Sequence, residues 1–140
     1  MASTAPASSA QTRPLIRLVD REAERLADLA VRAADAVPDD AELLLREIDR
    51  AEIHSASSLP ADVVTMYSQV EYRDEASGRT RSVQLVYPAD ADISVGRVSI
   101  LTPVAAGLIG LSAGQSIRWP DRDGRERRLL VVRVEQPSTS

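Results

Sequence analysis

Apolar residues recur at helical spacing through the first third of the chain and at alternate positions through the remainder. Ala23, Leu26, Ala27, Ala30, Ala33, Ala34 and Val37 share one face, which predicts a helix of about four turns, ~24 Å at 1.5 Å per residue. Asp20 stands where an N-cap is needed, and Glu22 and Glu24 fall in the first turn, where the helix dipole favours negative charge. Pro38 stops this helix. Asp39 is the next N-cap candidate, with Glu42 three residues on in capping-box position, and Ala41, Leu44, Leu45, Ile48 and Ala51 carry a second apolar stripe. So short a link makes the two helices an antiparallel hairpin, a short coiled coil in which small Ala on one side faces Leu and Ile on the other. Ahead of it, Arg13 to Val19 reads as a short strand or an extended lead-in.

A Ser/Pro linker, Ser55 to Asp62 (SASSLPAD), separates this hairpin from a region where the period changes from 3.6 to 2. Val70 and Tyr72 fall on one face of Gln69 to Arg73; Val83, Leu85 and Tyr87 fall on one face of Ser82 to Tyr87. With Ala76-Ser77-Gly78 as the turn, these two segments form a β-hairpin closed by Pro88. After an acidic connection, Ala89 to Gly96, comes a strand–helix–strand unit spanning Arg97 to Trp119. Val98 and Ile100 alternate with Ser99 and Leu101, then Val104, Leu108 and Leu111 take helical spacing behind Thr102 as N-cap and Pro103 in the first turn. Gly110 and Gly114 let the chain turn before Ile117 and Trp119 resume alternation. Pro120 to Gly124 is a turn. Arg128 to Glu135 is a final strand, apolar on both faces from Leu129 to Val132 and so interior. The fold class is α+β: an N-terminal helical hairpin over residues 13–54, then a mostly antiparallel sheet with one short helix over 55–137, after a disordered tail of 1–12.

Composition narrows what such a fold can do. A chain of 140 residues holds one ordinary domain, or a small one with an appendage. Only 3% of residues are aromatic, with no Phe, so the core is aliphatic and any pocket is poor in rings. The absence of cysteine removes disulfides, thiolate metal sites and a cysteine nucleophile. Neither a basic, apolar leader nor a run of membrane-spanning length is present, which predicts a soluble, cytoplasmic protein. All seventeen basic residues are Arg, and the net charge of −4 argues against broad attraction to nucleic acid. Seven Arg against eleven acids between Arg13 and His54 place the whole excess in the helical hairpin. Asp35, Asp39, Asp40 and Glu42 cluster at its tip with no Arg between Ala33 and Leu45.

Catalytic constellations are scarce, and no enzyme activity is expected. His54, the one histidine, has no neighbouring nucleophile or ligand set and reads as a helix C-terminal residue favoured by the dipole. Asp90 and Asp92 lack the ligand-rich spacing of a calcium loop and read as solvated turn carboxylates. Gly107, Gly110 and Gly114 do not open a helix with a Lys, so they are packing and turn glycines rather than a phosphate cradle. Arg125, Arg127 and Arg128 have no interleaved aromatics and read as a solvated hairpin face. Trp119 reads as a core or edge anchor. For the tip carboxylates two accounts stand side by side: Asp39 caps a helix, Asp40 and Glu42 occupy its dipole-favoured first turn and Asp35 is simply exposed, or the four form an acidic point that enters a basic channel or approaches a bound Mg²⁺.

The strings Ala41-Glu42-Leu43 through Leu45, Glu47 to Ala51 (EIDRA), Leu59-Pro60, Asp62 to Met66 (DVVTM) with Ser68 and Val70, Leu85 to Ala89 (LVYPA), and Pro103-Val104-Ala105-Ala106 with Gly110-Leu111 and Gly114 resemble one family. It is that of the regulators of nucleoside diphosphate kinase (Rnk), short relatives of the Gre transcript-cleavage factors. The resemblance runs from about Arg13 to Glu135. It implies a helical hairpin joined to an FKBP-like domain that docks on RNA polymerase at the rim of its secondary channel. In that family the docking surface includes a Ser-Pro at the start of the short helix; here the pair is Thr102-Pro103, so Leu101, Thr102 and Pro103 are the expected contacts. Gre factors carry tip acids on a much longer coiled coil to the polymerase metal. Each missing turn removes ~5.4 Å of reach. The resemblance therefore implies a regulator that competes with Gre factors without transcript cleavage, with no cofactor, no bound metal, no sequence-specific nucleic acid binding and no membrane contact. The family name also makes nucleoside diphosphate kinase a partner, direct or indirect. The FKBP-like fold raises prolyl isomerisation, but that pocket is walled by aromatic rings, and Tyr67, Tyr72, Tyr87 and Trp119 are all this chain has.

Overall fold

The change of period at the Ser/Pro linker marks a real change of architecture. The computed structural model describes residues 14–75, 77–120 and 126–137. Helix α1 (Asp20–Ala33) and helix α2 (Pro38–Arg50) pack antiparallel, and their feet are joined by a two-stranded parallel ribbon of β1 (Arg17–Val19) and β2 (Glu52–His54). Leu26, Ala30, Ala41 and Leu44 are buried between the helices, as the two stripes require.

The helix ends depart from the sequence reading. Val19, not Asp20, holds the N-cap position of α1 and makes no side-chain cap; Asp20 is already helical, its Oδ1 accepting from Arg21 N at 2.6 Å. The strand β1 runs straight into the helix, so extended backbone supplies the boundary that a cap would have supplied. Helix α1 also stops at Ala33, four residues short of the predicted end, and the Ala36 and Val37 amides both donate to the Ala33 carbonyl in the turn that leads to α2. In α2, Val37 takes the cap position and Pro38 the first turn. Asp39 is thus inside the helix, and Glu42 bonds Arg46 at 2.8 Å instead of closing a capping box. His54 lies in β2, beyond the end of α2, so its helix-terminal role does not hold.

After the linker, which includes a turn of 3₁₀ helix over Ala56–Ser58, five strands form one sheet. They are β3 (Gln69–Asp74), β4 (Arg79–Val86), β5 (Arg97–Ser99), β6 (Ser116–Pro120) and β7 (Glu126–Glu135), in the order β5-β4-β3-β7-β6. Only β4 and β5 are parallel. The β3–β4 hairpin pairs Gln69 with Gln84 and Asp74 with Arg79, as the alternation of Val70, Tyr72, Val83 and Leu85 required. Strand β7 is interior in the sheet, yet one of its faces is open: Leu129 and Val131 are buried while Val132 is 46% exposed. The predicted turn at Pro120–Gly124 lies largely outside the described residues.

Helix α3 (Pro103–Leu108) lies over the sheet, ending at Leu108, one turn before the apolar periodicity does. Trp119 and Ile117 are buried beneath it. A Cβ built on Gly107 would fall 2.9 Å from the Trp119 ring, so only glycine lets helix and ring meet at this spacing. One apolar core joins Ile16, Leu26 and Leu44 of the hairpin region to Met66, Leu85, Leu108 and Trp119 of the sheet region.

Candidate functional site

The corner between β5 and α3 is built from hydroxyls. Ser99 Oγ accepts from Leu101 N at 3.0 Å, and Thr102 donates both its N–H, at 3.1 Å, and its Oγ1, at 2.7 Å, to the Ser99 carbonyl. Thr102 occupies the N-cap position of α3 as predicted, but its hydroxyl is turned back on Ser99 and caps nothing. Leu101, Thr102, Pro103 and Val104 are all part-exposed, whereas Ala105 to Leu108 are buried. The corner is therefore an accessible surface with a rigid underside.

At the tip of the hairpin Asp35, Asp39 and Glu42 are exposed and Asp40 is half-buried. Glu42 is neutralised in part by Arg46 across one helical turn. Among the described residues no group of three or more His, Cys, Asp or Glu could hold a metal ion. With α1 and α2 14 and 13 residues long, the tip stands ~20 Å from the feet of the hairpin.

The other candidates are absorbed by structure. His54 Nε2 lies 2.7 Å from Glu52 Oε1, and this bond, aided by Arg17, holds the Glu52 carboxyl below its usual range. Asp90 accepts from the Tyr67 hydroxyl at 2.8 Å. Asp92 accepts from Ser94 N and Oγ, which lowers its pKa. Arg128 Nε meets Glu75 at 3.4 Å; Arg125 lies outside the described residues. Tyr72 and Trp119 are 6% and 2% exposed, so neither is available to wall an open pocket.

Three polar clusters were not foreseen. Glu47, fully buried on the apolar side of α2, binds the Arg50 guanidinium at 2.7 and 3.0 Å, and Arg50 also donates to the Pro14 carbonyl at 2.6 Å. The charged pair i, i+3 was visible in the sequence, but not that the lead-in chain would cover it. Within the DVVTM segment, Thr65 N donates to Ser68 Oγ at 2.9 Å, the two hydroxyls meet at 2.9 Å, and Thr65 Oγ1 donates to Gln136 Oε1 at 2.8 Å. Gln136 Nε2 in turn reaches the carbonyls of Ala61 and Val63 at 2.9 and 2.7 Å. In the same turn Tyr67 has φ +67°, the one left-handed residue other than glycine among the described residues, a conformation costing about 1–2 kcal/mol. Finally, Glu22 of α1 accepts from Met66 N at 3.2 Å; burial pushes its pKa up, against the opposing pull of the Met66 amide and Arg25.

This architecture has relatives. Residues 59–136 match the model of the C-terminal domain of the transcription elongation factors GreA/GreB. The chain is 39% identical over 130 residues to the regulator of nucleoside diphosphate kinase of Escherichia coli strain K12, covering 92% of this chain and 96% of that protein. It is 37% identical over 87 residues to transcription elongation factor GreA of Acidiphilium cryptum, spanning 55% of that protein's length. Among solved structures, a GreA/GreB elongation factor from Nitrosomonas europaea superposes with a TM-score of 0.69 at 37% identity, covering 89% of this chain and all of that one. By family model, length and fold together, this chain belongs to the GreA/GreB transcription elongation factor family, as a homologue of the regulator of nucleoside diphosphate kinase.

Proposed function

We propose that this chain docks on RNA polymerase at the rim of the secondary channel through Leu101, Thr102 and Pro103. Its helical hairpin then occupies the opening in competition with Gre factors, without stimulating transcript cleavage. The observation that carries this reading is the pairing of an accessible Thr-Pro corner with an arm of only ~20 Å. A short arm keeps Asp35, Asp39, Asp40 and Glu42 near the mouth of a channel, where negative charge steers approach to basic walls but no carboxylate reaches a metal at its floor. The protein works in the cytoplasm, beside polymerase, and is not itself an enzyme; among the described residues no helix is long and apolar enough to cross a membrane.

Cleavage by stalled polymerase is the test. The purified chain should not stimulate cleavage and should reduce the cleavage stimulated by a Gre factor. Thr102→Arg, which adds a bulky cation to the corner without touching the core, should abolish that reduction. Strong stimulation by the chain alone would overturn the reading. The E. coli homologue's name favours a second one, direct contact with nucleoside diphosphate kinase. Immobilised chain offered purified polymerase and purified kinase in parallel separates the two.

A further inference from the structure

Helix α1 touches the sheet domain through its first two turns. Glu22 accepts the Met66 amide at 3.2 Å, and one turn on the Arg25 guanidinium lies 5.5 Å from the centre of the Tyr87 ring. Tyr87 leans on Tyr67, with ring centres 5.8 Å apart and planes tilted by 59°, and the Tyr67 hydroxyl is tied to Asp90. The left-handed backbone at Tyr67 is what swings its ring into this stack; glycine would satisfy the backbone but leave Tyr87 without its neighbour. A cleft of about 760 Å³ opens along this side of α1, lined by Glu22, Arg25, Asp28, Leu29 and Arg32 together with Tyr87. On the opposite side α2 packs against α3. Around the foot of the hairpin Ala23 and Leu26 are buried in the shared core and Arg17 N donates to the Gly110 carbonyl, and the polar and aromatic contact is the one that borders the cleft.

We propose that Glu22 and Arg25 are positioning residues. With the Met66 amide and the Tyr67–Tyr87 platform they form a clasp that fixes the direction in which the hairpin projects, and so where its acidic tip lies relative to the Leu101–Pro103 corner. The apolar seat alone permits the arm to tilt toward the cleft; the clasp selects one angle. Its consequence for channel occupancy rests on the polymerase reading, whereas the geometry does not.

The chain has no cysteine, so two spin labels can be placed cleanly, at Ala36→Cys on the tip and Thr80→Cys on the sheet, both exposed. With the clasp intact the label-to-label distance should be a single narrow distribution. In E22A/R25A it should broaden and shift by about 5 Å, the displacement that a tilt of about 15° gives at the end of a ~20 Å arm. Tyr67→Gly, which removes one ring of the platform and relaxes the left-handed backbone, should do the same, and E22Q/R25K, which keeps an acceptor and a cation, should restore the original distribution. An unchanged distribution in both E22A/R25A and Tyr67→Gly overturns the clasp, whatever polymerase does. A shifted distribution in a chain that never binds polymerase upholds the clasp and overturns the docking reading. If both stand, the clasp variants lose competition with a Gre factor about tenfold, while Thr102→Arg loses binding altogether.

Discussion

Replacing Gly110 and Gly114 by alanine separates two effects that usually arrive together. Both glycines follow α3 with left-handed backbone, φ +83° and +90°. A Cβ on Gly114 meets open space. On Gly110 it would lie 2.8 Å from Ile16 Cβ and 3.2 and 3.3 Å from the Arg17 carbonyl oxygen and nitrogen. Gly110 is also bonded on both sides: Arg17 N donates to its carbonyl at 3.1 Å, and its own amide donates to Val64 O at 2.9 Å. Alanine at either site incurs a left-handed penalty of about 1–2 kcal/mol, offset by about 0.4–1 kcal/mol from a less flexible unfolded chain. G114A should therefore cost about 1 kcal/mol. G110A adds overpacking of about 1–3 kcal/mol against backbone that cannot rotate away, and about 1 kcal/mol for the strained Arg17 bond, for a total of about 3–5 kcal/mol. Urea unfolding followed by far-UV circular dichroism reads the difference. Two variants within about 0.5 kcal/mol of each other would refute the claim that β1 is seated directly on Gly110.

Two further outcomes are expected. Ser68→Ala leaves the buried Thr65 amide without its acceptor and should cost about 1–3 kcal/mol, more than Gln136→Ala, because Gln136 is itself half-buried and water can take the place of its amide; the reverse order in chemical denaturation would show that Gln136, not Ser68, anchors the turn. Because Glu22 has a raised pKa, the folded chain holds its proton more tightly than the unfolded one. Its contribution favours folding at low pH and declines as pH rises from the ordinary carboxylate range through the higher folded value. E22Q removes that slope, so the stability difference between wild type and variant should change across this window and be constant above it; a constant difference throughout would place Glu22 in water.

Periodicity was enough to read the hairpin and the sheet, because both bury one clean face: Leu26 and Leu44 at helical spacing, Val83 and Leu85 at strand spacing. Helix starts were misread wherever a carboxylate suggested a cap. Asp20 and Asp39 have the right chemistry, but strand β1 and Pro38 had already set the boundary through backbone geometry alone. Glu47 was hidden for a related reason: its burial depends on Pro14 arriving from 36 residues before Arg50, and no local pattern records that arrival. The Thr-Pro corner was legible as a cap and a first-turn proline, while its candidacy as a contact came only from resemblance. The clasp was illegible, since Glu22, Met66, Tyr67 and Tyr87 sit on three separate segments and a left-handed Tyr contradicts the residue preferences by which turns are read.

The ribbon of β1 and β2 gives each helix of the arm its own foothold, pairing Arg17 with Glu52 and Val19 with His54. A break in the backbone at the summit would leave both legs standing. For the same reason whole turns can be added to or removed from the two helices together, far from the feet, without disturbing how they are planted. Length in this fold is a free variable, set apart from the way the arm is mounted.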